Sequence, residues 1–197
     1  MRFVIPDVPW VKQRASGWCG YATLTAVLRY WGQCLDQLDV AAFLRGGEIR
    51  QDDTSGDWKG VGFNIYVTIG QLAQAAMNMS DHKVTLAVPE LYQRLERVSC
   101  DRSMRDAAFG ALRGSIIRGV PVIIHHVDHF YVVCGFDDKE DYYCLRDSRE
   151  NGKDYKCITQ SHFESVWSRR TRPDEGNSNR LDTRYSQLII RPKNGGA

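Results

Sequence analysis

VKQRASGWCGYATLTAVLRYWG, residues 11–32, is the stretch on which the reading of the whole chain turns. From Gly17 to Trp31 its pattern is helical, and Ala22, Ala26, Leu28, Tyr30 and Trp31 are among many apolar residues. Ser16 is the expected N-cap and Gly32 the expected stop. A helix that is apolar on nearly every face runs through a core. Cys19 falls in its first turn, with Gly17 before it and Gly20 after it. The positive end of a helix dipole favours a thiolate, the reactive form of cysteine, so this is a chemically apt place for a nucleophile. The competing reading is a small buried hydrophobe, the commoner fate of an isolated cysteine.

Gln13 stands six residues before Cys19. Acyl transfer passes through an oxyanion that needs donors in a dry site. A Gln side-chain amide just ahead of the helix, with the backbone N–H of Cys19, supplies two.

Two strands downstream carry the groups a thiol would need. His129 opens His-Phe-Tyr-Val-Val-Cys-Gly-Phe, and Asp147 closes Tyr-Tyr-Cys-Leu-Arg-Asp. A hairpin centred near Lys139 in the acidic link 137–141 sets these two residues almost opposite each other at its open end. Their even separation, in an even register, puts both side chains on one face. An aspartate beside one imidazole nitrogen fixes the tautomer and leaves the other nitrogen for the thiol. His82, His125, His126 and His162 compete for the base, and Asp128, Asp137 and Asp138 for the carboxylate. None of those histidines has a carboxylate at a comparable cross-strand position.

The 197 residues are enough for one domain with a sizeable core, and 43% hydrophobic against 25% charged residues is a globular balance. With 26 basic and 24 acidic residues the net charge is +2, which gives no reason to expect nucleic acid or an anionic membrane as partner. No run approaches the length needed to span a bilayer, and MRFVIPDVPW does not read as a signal peptide. Six scattered cysteines, none in a CxxC pair, suggest free thiols and a cytoplasmic default, with secretion by a non-classical route as the other possibility. Cys134 and Cys144 could face each other across the hairpin, which leaves one disulfide open as the minority alternative to free thiols. No metal or cofactor is implied, because no His/Cys cluster has ligand spacing.

Further helices are expected near Asp36 to Leu44, from a Thr68 cap to Met79, at 89–98, and at Met104 to Arg118. Ser161 with Glu164 reads as a capping box for a helix ending at Trp167. Strands are expected at 84–88, 120–127, 129–136, 142–147 and 186–191. Segments 48–62 and 169–180 read as polar surface loops that could line a groove beside Cys19, where Trp18 and Trp58 offer apolar contacts. A helical half followed by an antiparallel sheet is an α+β arrangement.

The blocks QRASGWCGYATLTAVLRYWG, HFYVVCGFDD and YYCLRDS resemble those of the double-glycine leader peptidases, papain-like domains found on bacteriocin-exporting transporters and as standalone forms. The resemblance covers roughly residues 8–150 and leaves 151–197 as an extension of a single domain. It implies a papain-like α+β fold in which Cys19 is nucleophile, His129 base, Asp147 its orienter and Gln13 the oxyanion donor. It further implies a bacterial thiol protease that cleaves a peptide bond through a thioester. The chain departs from that pattern at Trp18, Tyr21 and Ser148, where the family has an acidic residue, Pro and Pro.

A weaker likeness to phytochelatin synthases, in the spacing of Gln and Cys-Gly, implies acyl transfer with the same triad. A catalytically idle peptide-binding domain is the non-enzymatic alternative. The expected partner is a peptide or protein substrate. A standalone domain of this kind serves as a housekeeping peptidase or as a toxin or effector module.

Overall fold

A computed structural model of the chain describes residues 1–45, 50–51, 58–59, 67–87, 101–126, 129–150, 154–168 and 185–193. The expected helix at 89–98, the segment 169–180, Asp128, Cys100 and the side chain of Trp58 lie outside the described residues.

The elements in chain order are β1 (Arg2–Val4), α1 (Cys19–Tyr30), α2 (Gln37–Arg45), β2 (Arg50–Gln51), β3 (Trp58–Lys59), α3 (Ile69–Met79) and β4 (His82–Ala87). Then follow α4 (Asp101–Ile117), β5 (Val122–His126), β6 (His129–Asp137), β7 (Tyr142–Arg146), β8 (Lys156–Thr159), α5 (Gln160–Trp167) and β9 (Gln187–Pro192). Helices dominate the first half and an antiparallel sheet the second, the papain-like α+β arrangement.

The sheet runs β4-β9-β5-β6-β7-β8. Strand β1 takes the stretch Gly135–Asp137 of β6, beyond the reach of β5, which pairs His129–Val133. Strands β8 and β9 both come from the region past residue 150, and β9 sits between β4 and β5. All of β6 except Tyr131 is buried, as expected of a strand covered on both faces. Helices α1 and α4 both pack against it.

Beside α4 an aromatic cluster closes the core: Phe163 stacks on Tyr143 at 4.4 Å, and Phe109 and Trp167 meet it edge-on or tilted. Arg113 ties α4 to the hairpin and α5, donating to the Tyr143 hydroxyl at 2.9 Å and to Gln160 Oε1 at 2.7 Å. Glu164 is held by Arg105.

Several local readings need correction. Ser16 does not cap α1; the N-cap is Trp18, whose side chain makes no capping hydrogen bond, and Gly17 enters the turn at φ 78°. Helix α5 is capped by the Thr159 hydroxyl, which accepts from His162 N–H at 3.3 Å, rather than by Ser161. Thr68 does cap α3, in a reciprocal box with Gln71. The segment 48–62 includes a two-rung ladder, Arg50 opposite Lys59 and Gln51 opposite Trp58. Cys134 and Cys144 do not meet through their sulfurs. The Cys134 thiol donates to the Cys144 carbonyl at 3.3 Å, and the Cys144 sulfur faces Cys157.

The β6–β7 hairpin holds the feature that matters most for the site. Near its turn the pairs are Asp137 with Tyr142, Phe136 with Tyr143 and Gly135 with Cys144; beyond Cys134 they are Val133 with Leu145 and Val132 with Arg146. Cys134 is therefore an extra residue in β6, a bulge. One step further along the shifted ladder Tyr131 stands across from Asp147, so His129 and Asp147 share a face. In the unshifted ladder Val132 would stand there and His129 would point the other way.

Candidate functional site

His129 and Asp147 pair at the open end of the hairpin, Cys19 at the start of α1 lies within electrostatic reach of His129, and Gln13 is hydrogen-bonded to Ser148 beside Asp147. His129 Nε2 and Asp147 Oδ1 are 2.7 Å apart, with the two side chains 2% and 5% exposed. Asp147 Oδ1 also accepts from the Arg149 backbone N–H at 3.0 Å, and Lys156 Nζ lies 3.4 Å from Oδ2. Burial works against the charged carboxylate. The hydrogen bonds from His129 and Arg149 and the positive charges of His129 and Lys156 outweigh it, holding Asp147 at about 2.

The second imidazole nitrogen, His129 Nδ1, is buried and has no hydrogen-bond partner among the described residues. The Cys19 thiol lies within electrostatic reach of the His129 ring, and each side chain shifts the titration of the other. Burial pushes the His129 pKa down, but the hydrogen bond with Asp147 and the charges of Cys19 and Asp147 carry it above the ordinary value. For Cys19 burial again opposes ionisation. His129, the backbone N–H of Phe130 and the charge of Arg149 together win, and the thiol titrates below its usual range.

Helix α1 adds to this effect. Its N-cap side chain makes no capping hydrogen bond and its first turn carries no acidic residue, so the positive end of the dipole is uncompensated there beside Cys19. Gly20 is required next to Cys19, because a Cβ there would stand 2.3 Å from Val67 Cγ2 and 3.4 Å from the Phe130 ring.

The segment before α1 is strapped to the chain leaving β7. Trp10 Nε1 donates to the Asp147 carbonyl at 2.9 Å, Gln13 N–H to the Ser148 carbonyl at 3.0 Å and Arg146 Nε to the Val8 carbonyl at 2.9 Å. The Ser148 hydroxyl donates to Gln13 Oε1 at 3.1 Å, and Gln13 Nε2 donates to the Ala15 carbonyl at 2.9 Å. Ser148 is 3% exposed. With its oxygen held by Ser148, the Gln13 amide has its NH₂ group turned away from that hydroxyl, and among the described residues one of its two N–H bonds is left over after Ala15.

The competing histidines are placed elsewhere. His125 is stacked on Phe130 at 4.3 Å, and burial with the nearby charges of His126 and His129 pushes it down to about 4. His82 lies on β4 beside Trp31, and His162 is exposed in the first turn of α5. Asp137 caps the hairpin turn at the far end, accepting from the backbone of Lys139 at 2.8 Å. Trp18 is core rather than groove, 1% exposed and packed edge-on to Tyr21.

Sequence reasoning missed Ser148, Lys156 and Arg149 as members of this cluster. Their nearness to Asp147 in sequence was the available signal for Ser148 and Arg149. Lys156 reaches it only because β8 pairs with β7.

A buried thiol at a helix start, an imidazole held by a carboxylate and a restrained amide are the parts of a nucleophilic acyl-transfer site. No curated protein matches the sequence. Among solved structures the fold resembles a C39-like peptidase from Bacillus anthracis, at TM-score 0.64 and 15% identity, covering 96% of this chain and 97% of that one. It also resembles the peptidase domain of Streptococcus ComA, a bifunctional ABC transporter involved in quorum sensing, at TM-score 0.53 and 13% identity over 95% and 100% of the two chains. A third similar structure is a double-glycine-motif protease from an AMS/PCAT transporter in complex with its leader peptide, at TM-score 0.50 and 19% identity over 98% and 99%. The model of the Peptidase_C39-like family matches residues 5–174, and the chain is a cysteine peptidase that belongs to that family.

Proposed function

We propose that the chain cleaves a peptide bond with Cys19 as nucleophile, His129 as general base and acid, Asp147 as the orienter of His129, and Gln13 as an oxyanion donor. The observation that carries this reading is the buried 2.7 Å pair of His129 Nε2 with Asp147 Oδ1, which leaves Nδ1 available, beside a Cys19 thiol that His129 draws below its usual range.

The chemistry follows from these positions. The Cys19 thiolate attacks the carbonyl carbon and the carbonyl π electrons move onto oxygen. The leftover N–H of Gln13 and the backbone N–H of Cys19 serve that oxyanion. On collapse the C–N bond breaks, the imidazolium of His129 gives its proton to the leaving amine, and a thioester remains on Cys19. Neutral His129 then takes a proton from water, which attacks the thioester; the acid product leaves and the thiolate–imidazolium pair is restored. Asp147 stays ionised throughout, at about 2. A peptide substrate is supported by the leader peptide bound to the AMS/PCAT relative.

The test is iodoacetamide alkylation of Cys19 as a function of pH, read per cysteine by mass spectrometry on the wild type, His129→Ala and Asp147→Asn. Cys19 is expected to react well below the ordinary thiol pKa of about 8.5, and His129→Ala to abolish that low-pH reactivity. A Cys19 that titrates like a free thiol in all three proteins would remove the nucleophile from the reading and favour a peptide-binding role.

A further inference from the structure

A pair of thiols lies apart from the candidate site. Cys144 in β7 and Cys157 in β8 are directly opposed in register, with their Sγ atoms 3.6 Å apart. Opposed residues in an antiparallel pair have Cα atoms about 4.5–5.5 Å apart, inside the roughly 4.4–6.8 Å that a disulfide spans without backbone movement. The two thiols differ in access: Cys157 is exposed, whereas Cys144 is 3% exposed. Cys134, the nearest competitor, points its thiol at the Cys144 carbonyl instead.

We propose that Cys144 and Cys157 form a thiol–disulfide exchange site that takes a small-molecule disulfide of the glutathione type and ends as an internal Cys144–Cys157 bond. The Cys157 thiolate attacks one sulfur of the reagent. The reagent's S–S bond breaks, and the first small thiolate leaves and picks up the proton that Cys157 lost. Cys144, already in van der Waals contact, then attacks the Cys157 sulfur of the mixed disulfide, loses its proton and expels the second small thiol. Two protein thiols are oxidised and one external disulfide is reduced to two thiols.

Burial sets this order. Cys144 has its pKa pushed up to about 12, by burial first and then by its hydrogen bond with Cys157, so it is a poor nucleophile toward solvent. It acts only on a sulfur delivered to it. The bond staples the edge strand β8 to β7. Strand β8 carries Lys156, which faces Asp147, and Thr159, which caps α5.

The experiment uses the full chain with Cys19→Ser, so that the candidate nucleophile does not consume reagent. The folded protein is incubated with oxidised glutathione, remaining thiols are alkylated, and digested peptides are mapped without reduction. The expected product is a peptide pair joined through Cys144 and Cys157, reversed by dithiothreitol and accompanied by a higher thermal midpoint. Cys144→Ser should stop at a stable glutathione adduct on Cys157. Finding Cys157 glutathionylated beside an alkylated Cys144 in the Cys144-containing protein would overturn the proposal. So would a Cys134–Cys144 link, or both thiols fully alkylated. Because the Cys19→Ser protein alone gives these outcomes, the proposal stands or falls on it even where the Cys144 variant does not fold.

Discussion

Replacing Asp147 by Asn keeps the shape of the side chain and removes its charge. Asp147 is 5% exposed, so solvent screens its contacts little. Its carboxyl is held at about 2 against an ordinary 3.8, a gap that corresponds to about 2 kcal/mol in favour of the ionised form in the folded protein. The sign is that of a depressed acid: the stabilisation is fully present above about pH 4 and is lost as pH falls toward 2. The raised pKa of His129 reports the same interaction from the other partner, so the two are not summed.

Asparagine cannot titrate, and its amide replaces one oxygen that faces His129 or Lys156. Urea unfolding of the wild type and Asp147→Asn, measured at a series of pH values from neutral downward, should therefore show two things. The variant is less stable at neutral pH by about 2 kcal/mol, and the gap closes as pH drops below about 4. A gap that stays constant across the acid range would refute the argument, because it would mean that the charge of Asp147 is not what the fold holds.

Four further outcomes are expected. Gln13→Ala should lower kcat about 10²-fold with little change in KM. Ser148→Ala, which frees the amide through loss of one hydrogen bond of about 1 kcal/mol, should lower it roughly fivefold, and a wild-type rate for Ser148→Ala would remove Ser148 as the holder of Gln13. Gly20→Ala should destabilise the protein by about 1–3 kcal/mol in denaturant melts, since its Cβ would meet Val67 Cγ2 at 2.3 Å; an unchanged midpoint would mean that the chain at Val67 yields freely. Phe163→Ala should cost about 3–5 kcal/mol, because the ring is fully buried against Tyr143, Phe109 and Trp167, and a loss below about 1 kcal/mol would contradict that packing.

The local elements were legible because their signals are local. The apolar run after Gly17 places α1 to within about two residues, and the Thr68 cap appears where its spacing with Gln71 puts it. The acidic 137–141 link gives a hairpin, as its composition implies. The pairing of His129 with Asp147 was legible as well, because both residues belong to one hairpin and need no long-range contact to meet.

By itself, then, the sequence determined the α+β class, the helix that begins at Cys19 and the His129–Asp147 pair. The faces and partners were decided by tertiary structure. The hairpin turn has a register that would aim His129 away from Asp147; the extra residue at Cys134 restores the shared face, and no composition rule marks that bulge. Cys144 faces Cys157, a partner the sequence did not suggest, because β8 pairs with β7. Ser16 is a better cap than Trp18 on propensity, yet Trp18 holds that position with its side chain buried at 1% exposure. In each case strand pairing or core packing, which sums contacts from distant parts of the chain, outweighs a local preference of about 1 kcal/mol.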